Sequence, residues 1–298
     1  MPNPTITGSS YAGEFAGKYI GASLFSAKTL DEGAVTILPN IKFKAAMKVG
    51  AFSNLVRSAD CDFDSTTSGL TLTEKVLTPT ELQVNLQICK KELHSDWEAA
   101  NMGFSAFDEL PPLFSDYVIA RVAAEVAQAT ENSIWGGTAG EGSFDGFKTL
   151  LQADSDVVDV TGTSVDASNV ITELNKVIDA IPSGVYGSDD LTLYVSTSIA
   201  KAYIQAQAAL GYRELYNVGQ TEMNYQGVPM FVTSGLNTNN AVAARKSNLF
   251  FGTGLLDDRN EVKVIDMADL DGSQNVRVVM RYTAGVQHGI GGDIVLYS

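Results

Sequence analysis

Two imidazoles, His94 and His288, are all that the chain offers for acid–base work near neutral pH, and they stand far apart in the sequence. His94 lies in Glu92-Leu93-His94-Ser95-Asp96, which could hold a metal only with ligands brought from elsewhere, so an exposed histidine without a ligand role is expected. His288 sits in Gln287-His288-Gly289 and reads as a turn residue, not a base. No Gly-x-Ser-x-Gly elbow is present to expose a nucleophilic serine. The two cysteines, Cys61 and Cys89, fall in segments of β character and fit no zinc spacing. They are read as buried or bystander thiols, with a bridge across a hairpin left open.

The remaining motif-like stretches fail on context. Gly136-Gly-Thr-Ala-Gly140-Glu-Gly142 follows a helix instead of joining a strand to a helix, and it lacks the Lys-Ser/Thr ending of a phosphate cradle. It reads as a flexible connector. Gly252-Thr-Gly254-Leu-Leu-Asp257 carries Asp where a dinucleotide fingerprint needs its third glycine. In a calcium-loop register, Asp269-Leu-Asp271-Gly272 would put Met267 and Val278 at ligand positions, so a turn between strands is the better account. Asp257 and Asp258, and the set Asp154, Asp156 and Asp159, read as solvated loop acids, a cation shared between subunits being the alternative. No catalytic residue, cofactor site or metal ligand is assigned, and an enzyme is not expected.

Hydrophobic residues at 45% and charged residues at 18% describe an ordinary globular chain, and 298 residues suffice for substantial cores. A net charge of -15 argues against a free-standing nucleic-acid binder, which needs a basic face. The N-terminus shows no basic region followed by an apolar stretch, so no secretory signal is read. No apolar run approaches the roughly 20 residues that span a bilayer.

The elements are legible in order. Residues 1–30 are rich in Gly, Ala, Ser and Thr, with scattered aromatics Tyr11, Phe15, Tyr19 and Phe25. Such a segment either stays loose or becomes ordered by lying across another surface, and the aromatics favour the second outcome. Ile41, Phe43, Ala45, Met47 and Val49 alternate with Lys42, Lys44, Ala46 and Lys48, a half-buried strand with a basic outer face. Leu70, Leu72 and Val76, then Leu82, Val84, Leu86 and Ile88, supply further strands, interrupted at Thr78-Pro79-Thr80. The result is a long β-arm. Pro111-Pro112 opens an alanine-rich helix of roughly 30–35 Å that ends at Gly136-Gly137. Its apolar series is Phe114, Val118, Val122, Val126 and Ile134.

After residue 150, helix and strand alternate. Asp166 or Ser168 caps a helix through Ile181, Leu191–Ser196 is a strand, and Ser196 or Thr197 caps a second helix closed by Gly211. Tyr225-Gln-Gly227 turns into the strand Val228–Thr233, and further strands are expected at Asn248–Gly252, Val262–Met267, Val276–Val286 and Asp293–Tyr297. The class is α+β, with a mixed sheet, a separate β-arm and an extended N-terminus. Arms with open edges find partners, which points to an obligate oligomer.

This order of parts resembles the major capsid proteins of tailed bacteriophages, the Hong Kong 97-like capsid fold. The similarity covers essentially the whole chain and rests on element order more than on single residues. Its most telling stretches are Leu191-Thr-Leu-Tyr-Val-Ser-Thr-Ser-Ile-Ala-Lys-Ala-Tyr203 leading to Tyr225-Gln-Gly-Val-Pro-Met-Phe-Val232, and Val276-Arg-Val-Val-Met-Arg281-Tyr-Thr-Ala-Gly285-Val286 closing with Asp293-Ile-Val-Leu-Tyr297. The Gly-rich exit Gly136-Gly-Thr-Ala-Gly140, followed by Phe144-Asp-Gly146-Phe147, adds to it. The resemblance implies an N-terminal arm at 1–40, an extended β-hairpin E-loop with flanking strands at 41–90, and a peripheral domain with the long spine helix at 91–149. It implies an axial domain at 150–272, with C-terminal strands at 273–298 returning to the peripheral domain.

It further implies a structural subunit that self-assembles as pentamers and hexamers into an icosahedral shell, in a virion assembled in the host cytoplasm. Implied partners are further copies of the chain, a portal, and scaffolding and cement or decoration proteins. The shell would enclose double-stranded DNA without specific binding, and no membrane is involved. Oligomer contacts are expected at Tyr11, Phe15, Tyr19, Phe25, Glu74 and Lys75. The chain starts close to the arm with no long charged helical segment before it, which implies a separate scaffolding protein or a processed product, and Met1 disfavours processing. Some relatives join an E-loop lysine to a neighbour's asparagine. Lys75, nearest the expected tip, and Asn275 have the right residue types, but nothing else links them and no cross-link is expected. An encapsulin-type nanocompartment, which shares the fold and encloses enzymes, is the alternative reading.

Overall fold

The structure, a computed structural model, describes residues 27–41, 43–52, 56, 58, 70–89, 112–209, 223–254 and 263–298. Its strands fall into three sheets. The first is built on β12 (Asn275–His288), the longest strand, whose even-numbered residues Val276 through Val286 are buried while Arg277 and Arg281 are exposed. This period of two turns one face of the strand to the core. Strand β4 (Thr80–Cys89) pairs antiparallel with β12 over ten positions, from Asn275 opposite Cys89 to Ala284 opposite Thr80. Strands β10 (Leu249–Thr253) and β11 (Lys263–Asp266) also run antiparallel to β12, and the short β1 (Thr36–Leu38) lies parallel to β10.

The second sheet has six strands in the order β5 (Val158–Val160), β13 (Val295–Tyr297), β9 (Ala241–Arg245), β6 (Leu191–Ser196), β8 (Val228–Thr233) and β7 (Met223–Tyr225). All six residues of β6 are buried, as expected of a central strand covered on both faces. Helices Val170–Asp179 and Thr197–Ala209 contribute Leu174, Val177, Ile199 and Tyr203 to its core. Strand β7 turns into β8 through Gln226 and Gly227, both at positive φ, which matches the twist of the strands they join. Strands β10 and β11, from the stretch assigned to the axial domain, thus pair in the first sheet. Strand β13, from the C-terminal stretch, pairs in the second.

The long helix Pro112–Gly136 has 25 residues, about 37 Å of rise. Its described buried positions are Ile119, Val126, Ala127, Thr130, Glu131, Ser133, Ile134 and Trp135. The sequence series through Val122 therefore describes only part of the inward stripe: Val122 is half-buried, and a carboxylate, Glu131, faces inward instead. The glycine exit is not the flexible connector expected. A Cβ on Gly137 would lie 2.3 Å from the Phe144 carbonyl oxygen and 2.5 Å from that of Ser133, and Gly146 donates its N–H to the Gly137 carbonyl at 3.0 Å. The chain reverses here in a tight backbone-on-backbone packing that only glycine admits. Helix Phe147–Ala153 follows and packs against the long helix, with Phe147 tilted against the Trp135 ring at 5.3 Å.

The third sheet is a hairpin of two strands, β2 (Ala45–Phe52) and β3 (Leu70–Leu77), which pair only with each other among the described residues. The break at Thr78-Pro79 separates this hairpin from β4, as proline in that position requires. The sequence-level β-arm therefore divides: β2 and β3 project, while β4 belongs to the first sheet. Between β11 and β12, Ala268–Asp271 forms one helical turn capped by Gly272 at φ 71°, with Ser273 donating its N–H to Asp271 Oδ1 at 2.9 Å. This is the turn expected there.

Candidate assembly interface

In an antiparallel pair, directly opposed residues share a face. Lys48 stands opposite Glu74, Ala46 opposite Val76 and Gly50 opposite Leu72, so one face of the hairpin carries Lys44, Lys48, Glu74, Leu72 and Val76. Leu72 is 63% and Val76 38% exposed. The opposite face carries Ala45, Met47 and Val49, all half-buried, together with Lys75 and the fully buried Leu77. The outer face is thus amphipathic where Lys44 and Lys48 alone suggested a basic one. Phe43, at the entry to β2, is 77% exposed with the Lys44 ammonium 5.4 Å from its ring centre. Among the described residues neither outer edge of the hairpin pairs with another strand, and open edges are sites for pairing or docking.

Polar residues fasten the hairpin's root. Lys75 donates to Asp154 Oδ2 at 2.5 Å, and His288 Nε2 meets the same oxygen at 2.7 Å. Asp154 directly follows helix Phe147–Ala153, and His288 is the last residue of β12 and only 2% exposed. Burial opposes ionisation of Asp154, yet the hydrogen bonds from His288 and Lys75, with the lysine charge, hold its carboxyl well below the usual range. For His288, burial is the largest influence and lowers its pKa, outweighing the carboxylate. Three expectations are corrected here. Asp154 is no solvated loop acid, and His288 is no turn residue. Lys75 is also at the root of the hairpin, two residues from the end of β3, rather than near its tip. Gln287 Nε2 adds a bond to the Val76 carbonyl at 3.1 Å, and Leu77 lies so close to Gly252 that a Cβ there would meet it at 2.4 Å.

A second polar cluster holds residues 27–35 against the body. Glu131, 2% exposed, accepts the Thr29 N–H at 3.0 Å, the Thr29 hydroxyl at 2.7 Å and the Thr233 hydroxyl at 2.5 Å. Trp135 donates its indole N–H to the Thr29 hydroxyl at 2.7 Å. Lys28 donates to the Val232 carbonyl at 2.8 Å and lies 5.1 Å from the Phe231 ring centre, and Tyr194 donates to the Ala34 carbonyl at 2.5 Å. One carboxylate so joins the N-terminal segment, the long helix and the second sheet. Sequence reasoning missed it. The available signal was spacing: Ala127, Glu131 and Ile134 stand four and three residues apart, placing an acid on an apolar stripe.

Of the residues expected at oligomer contacts, Glu74 lies exposed on the outer hairpin face and Lys75 is held in the Asp154 pair, while Tyr11, Phe15, Tyr19 and Phe25 lie outside the described residues. Cys61, His94 and Gly211 lie outside them too. Cys89 is a half-buried free thiol, and Asn275 stands opposite it in the β4–β12 register. Among the described residues, no cluster of His, Cys, Asp or Glu is arranged to hold a metal ion, and no helix is long and apolar enough to cross a membrane.

Solved structures share this arrangement from end to end. The capsid of a native GTA particle superposes with a TM-score of 0.62 at 15% identity, covering 100% of this chain and 93% of the other. The fold is the Hong Kong 97-like capsid fold. Mycobacterium phage Che8 gives a TM-score of 0.56 at 10% identity, over 100% of this chain and 94% of that one. A virus-like particle from Pyrococcus furiosus gives 0.56 at 10% identity, over 96% and 100%. No protein-family model matches the sequence, and no curated protein does. At these identities the likeness is one of fold.

Proposed function

We propose that this chain is the major shell subunit of a tailed bacteriophage, non-catalytic, assembling as pentamers and hexamers into an icosahedral capsid around double-stranded DNA. The observation that carries the proposal is the projecting hairpin. Its strands pair with no other strand of the described chain, and its outer face holds Leu72 and Val76 exposed between Lys44, Lys48 and Glu74. A second copy can bury that strip and satisfy those charges. The anchor at Asp154 sets the direction in which the hairpin leaves the body. Each subunit then makes several modest contacts, weak enough singly for errors to reverse and strong together once a shell closes. The acidic balance of the chain keeps enclosed DNA from adsorbing. A portal, scaffolding proteins and cement proteins complete the particle on this reading, in a virion built in the host cytoplasm.

Negative-stain microscopy of the expressed protein tests the proposal. Closed shells, tubes or capsomers are expected. A compact single subunit in the ultracentrifuge under all ionic conditions overturns it. A nanocompartment enclosing enzymes is the second reading, favoured by the likeness to the virus-like particle over that particle's full chain length. Co-purification of a stoichiometric enzyme within nuclease-treated shells selects this second reading.

A further inference from the structure

We infer that the root of the β2–β3 hairpin is a proton-operated latch, in which protonation of His288 displaces Lys75 from Asp154 and lets the hairpin swing relative to the body. Three chain segments meet on one oxygen, Asp154 Oδ2: β3 through Lys75, the end of β12 through His288, and the turn after helix Phe147–Ala153 through Asp154 itself. Beyond this root the hairpin strands pair only with each other among the described residues, so the root sets the hairpin's angle.

A carboxylate accepts and does not donate, so the neutral imidazole carries its proton on Nε2, and Nδ1 keeps a lone pair. Nδ1 is buried with no hydrogen-bond partner among the described residues. A second proton would therefore create an N–H with no acceptor and a buried cation beside a lysine. Among the described residues, the charged groups around the ring are few. Asp154 favours the imidazolium and Lys75 opposes it. Asp156, which donates its N–H to Asp154 Oδ1 at 3.2 Å, borders the Gly291 turn, and Asp293 in that turn is paired with Arg245. The one available relief is for His288 to take Asp154 for itself and expel Lys75. The other fastenings among the described residues, Gln287 to the Val76 carbonyl, Ile41 N–H to the Thr253 carbonyl and the Leu77 contact, are neutral and do not respond to pH. The latch is a property of the single chain and stands or falls separately from the shell reading.

Hydrogen exchange by mass spectrometry, corrected for intrinsic rates, measures it on the full-length protein. Protection of backbone amides at Glu74–Leu77 is expected to fall about tenfold between pH 7.5 and 5.5, the limit set by a histidine that must be neutral in the closed state. His288→Gln, which keeps a donor towards Asp154, is expected to hold that protection constant across the same range. Lys75→Met is expected to lower it at both pH values. Wild-type protection that does not change, or a His288→Gln protein that loses protection as the wild type does, overturns the latch. Slow C2–H exchange of the imidazole in unmodified protein gives a second reading that needs no variant. Titration of His288 below the ordinary 6.5 is expected, and titration at or above it overturns the proposal.

Discussion

Glu131 and Thr29 are joined twice: one carboxylate accepts both the backbone N–H and the hydroxyl of the threonine, at 3.0 and 2.7 Å. A buried charge is tolerated when donors surround it, and here Thr29 and Thr233 supply three while Trp135 orients the threonine hydroxyl. Replacement by alanine strips those donors of their acceptor inside the core. Glu131→Ala is expected to lower unfolding stability by about 3 kcal/mol or more, and Glu131→Gln by less, since one acceptor oxygen remains. Urea denaturation midpoints at constant m-value measure both.

The outer hairpin face separates folding from association. Leu72 is largely exposed in the single chain, so Leu72→Asp is expected to change unfolding free energy by less than about 0.5 kcal/mol. The same change places a bare carboxylate in the contact a second copy would make, and assembly into sedimenting particles is expected to fail. A variant that assembles normally would remove this face from the interface.

Tyr297, in the last strand, donates its hydroxyl to Glu173 at 2.8 Å and accepts the Thr163 N–H at 3.1 Å. Lys176 also binds that carboxylate, and its bond is the main cause of a Glu173 pKa below the ordinary value. Tyr297→Phe is expected to cost about 1–2 kcal/mol. In a double-mutant cycle with Glu173→Gln, the losses should be less than additive, because the two side chains share one bond.

Gly137 offers a test of backbone packing. Alanine there would press a methyl group against two carbonyl oxygens that belong to the helix end and to the following turn. A loss of about 2–4 kcal/mol is expected for Gly137→Ala, read from thermal or urea unfolding. A neutral effect would mean that this exit yields where the close approach says it cannot.

Acid should weaken the fold in two stages. The folded His288 has a pKa below its unfolded value of about 6.5, so the unfolded chain binds the extra proton first and stability falls as pH drops below that value. Folded Asp154 also has a lowered pKa, so its contribution is present above about 3.9 and is lost as pH falls through its folded value. Both slopes have the same sign. Asp154→Asn is expected to flatten the lower one, measurable as chemical stability against pH between 7 and 3.

Elements whose signal is local were legible from residue order alone. Leu191–Ser196 and Val228–Thr233 appear as strands at the bounds their apolar runs suggest, and the long helix stops at Gly136 where a glycine pair ends its alanine-rich face. Short-range sterics and hydrophobic period carry that information. The order of hairpin, long helix and later strands, as far as the described residues go, was legible for the same reason. What escaped depends on residues far apart in the chain. Asp154 and His288 are separated by 134 positions, and nothing beside either one announces the other. Glu131 became a staple only because Thr29 and Thr233 arrive from opposite directions. The register of β2 on β3, not the composition of either, put Leu72 and Val76 on the lysine face. Local periodicity specifies which segments are helix or strand. Whether a given charge is solvated or buried is decided by the partners that folding brings to it, and those are set by packing across the whole chain.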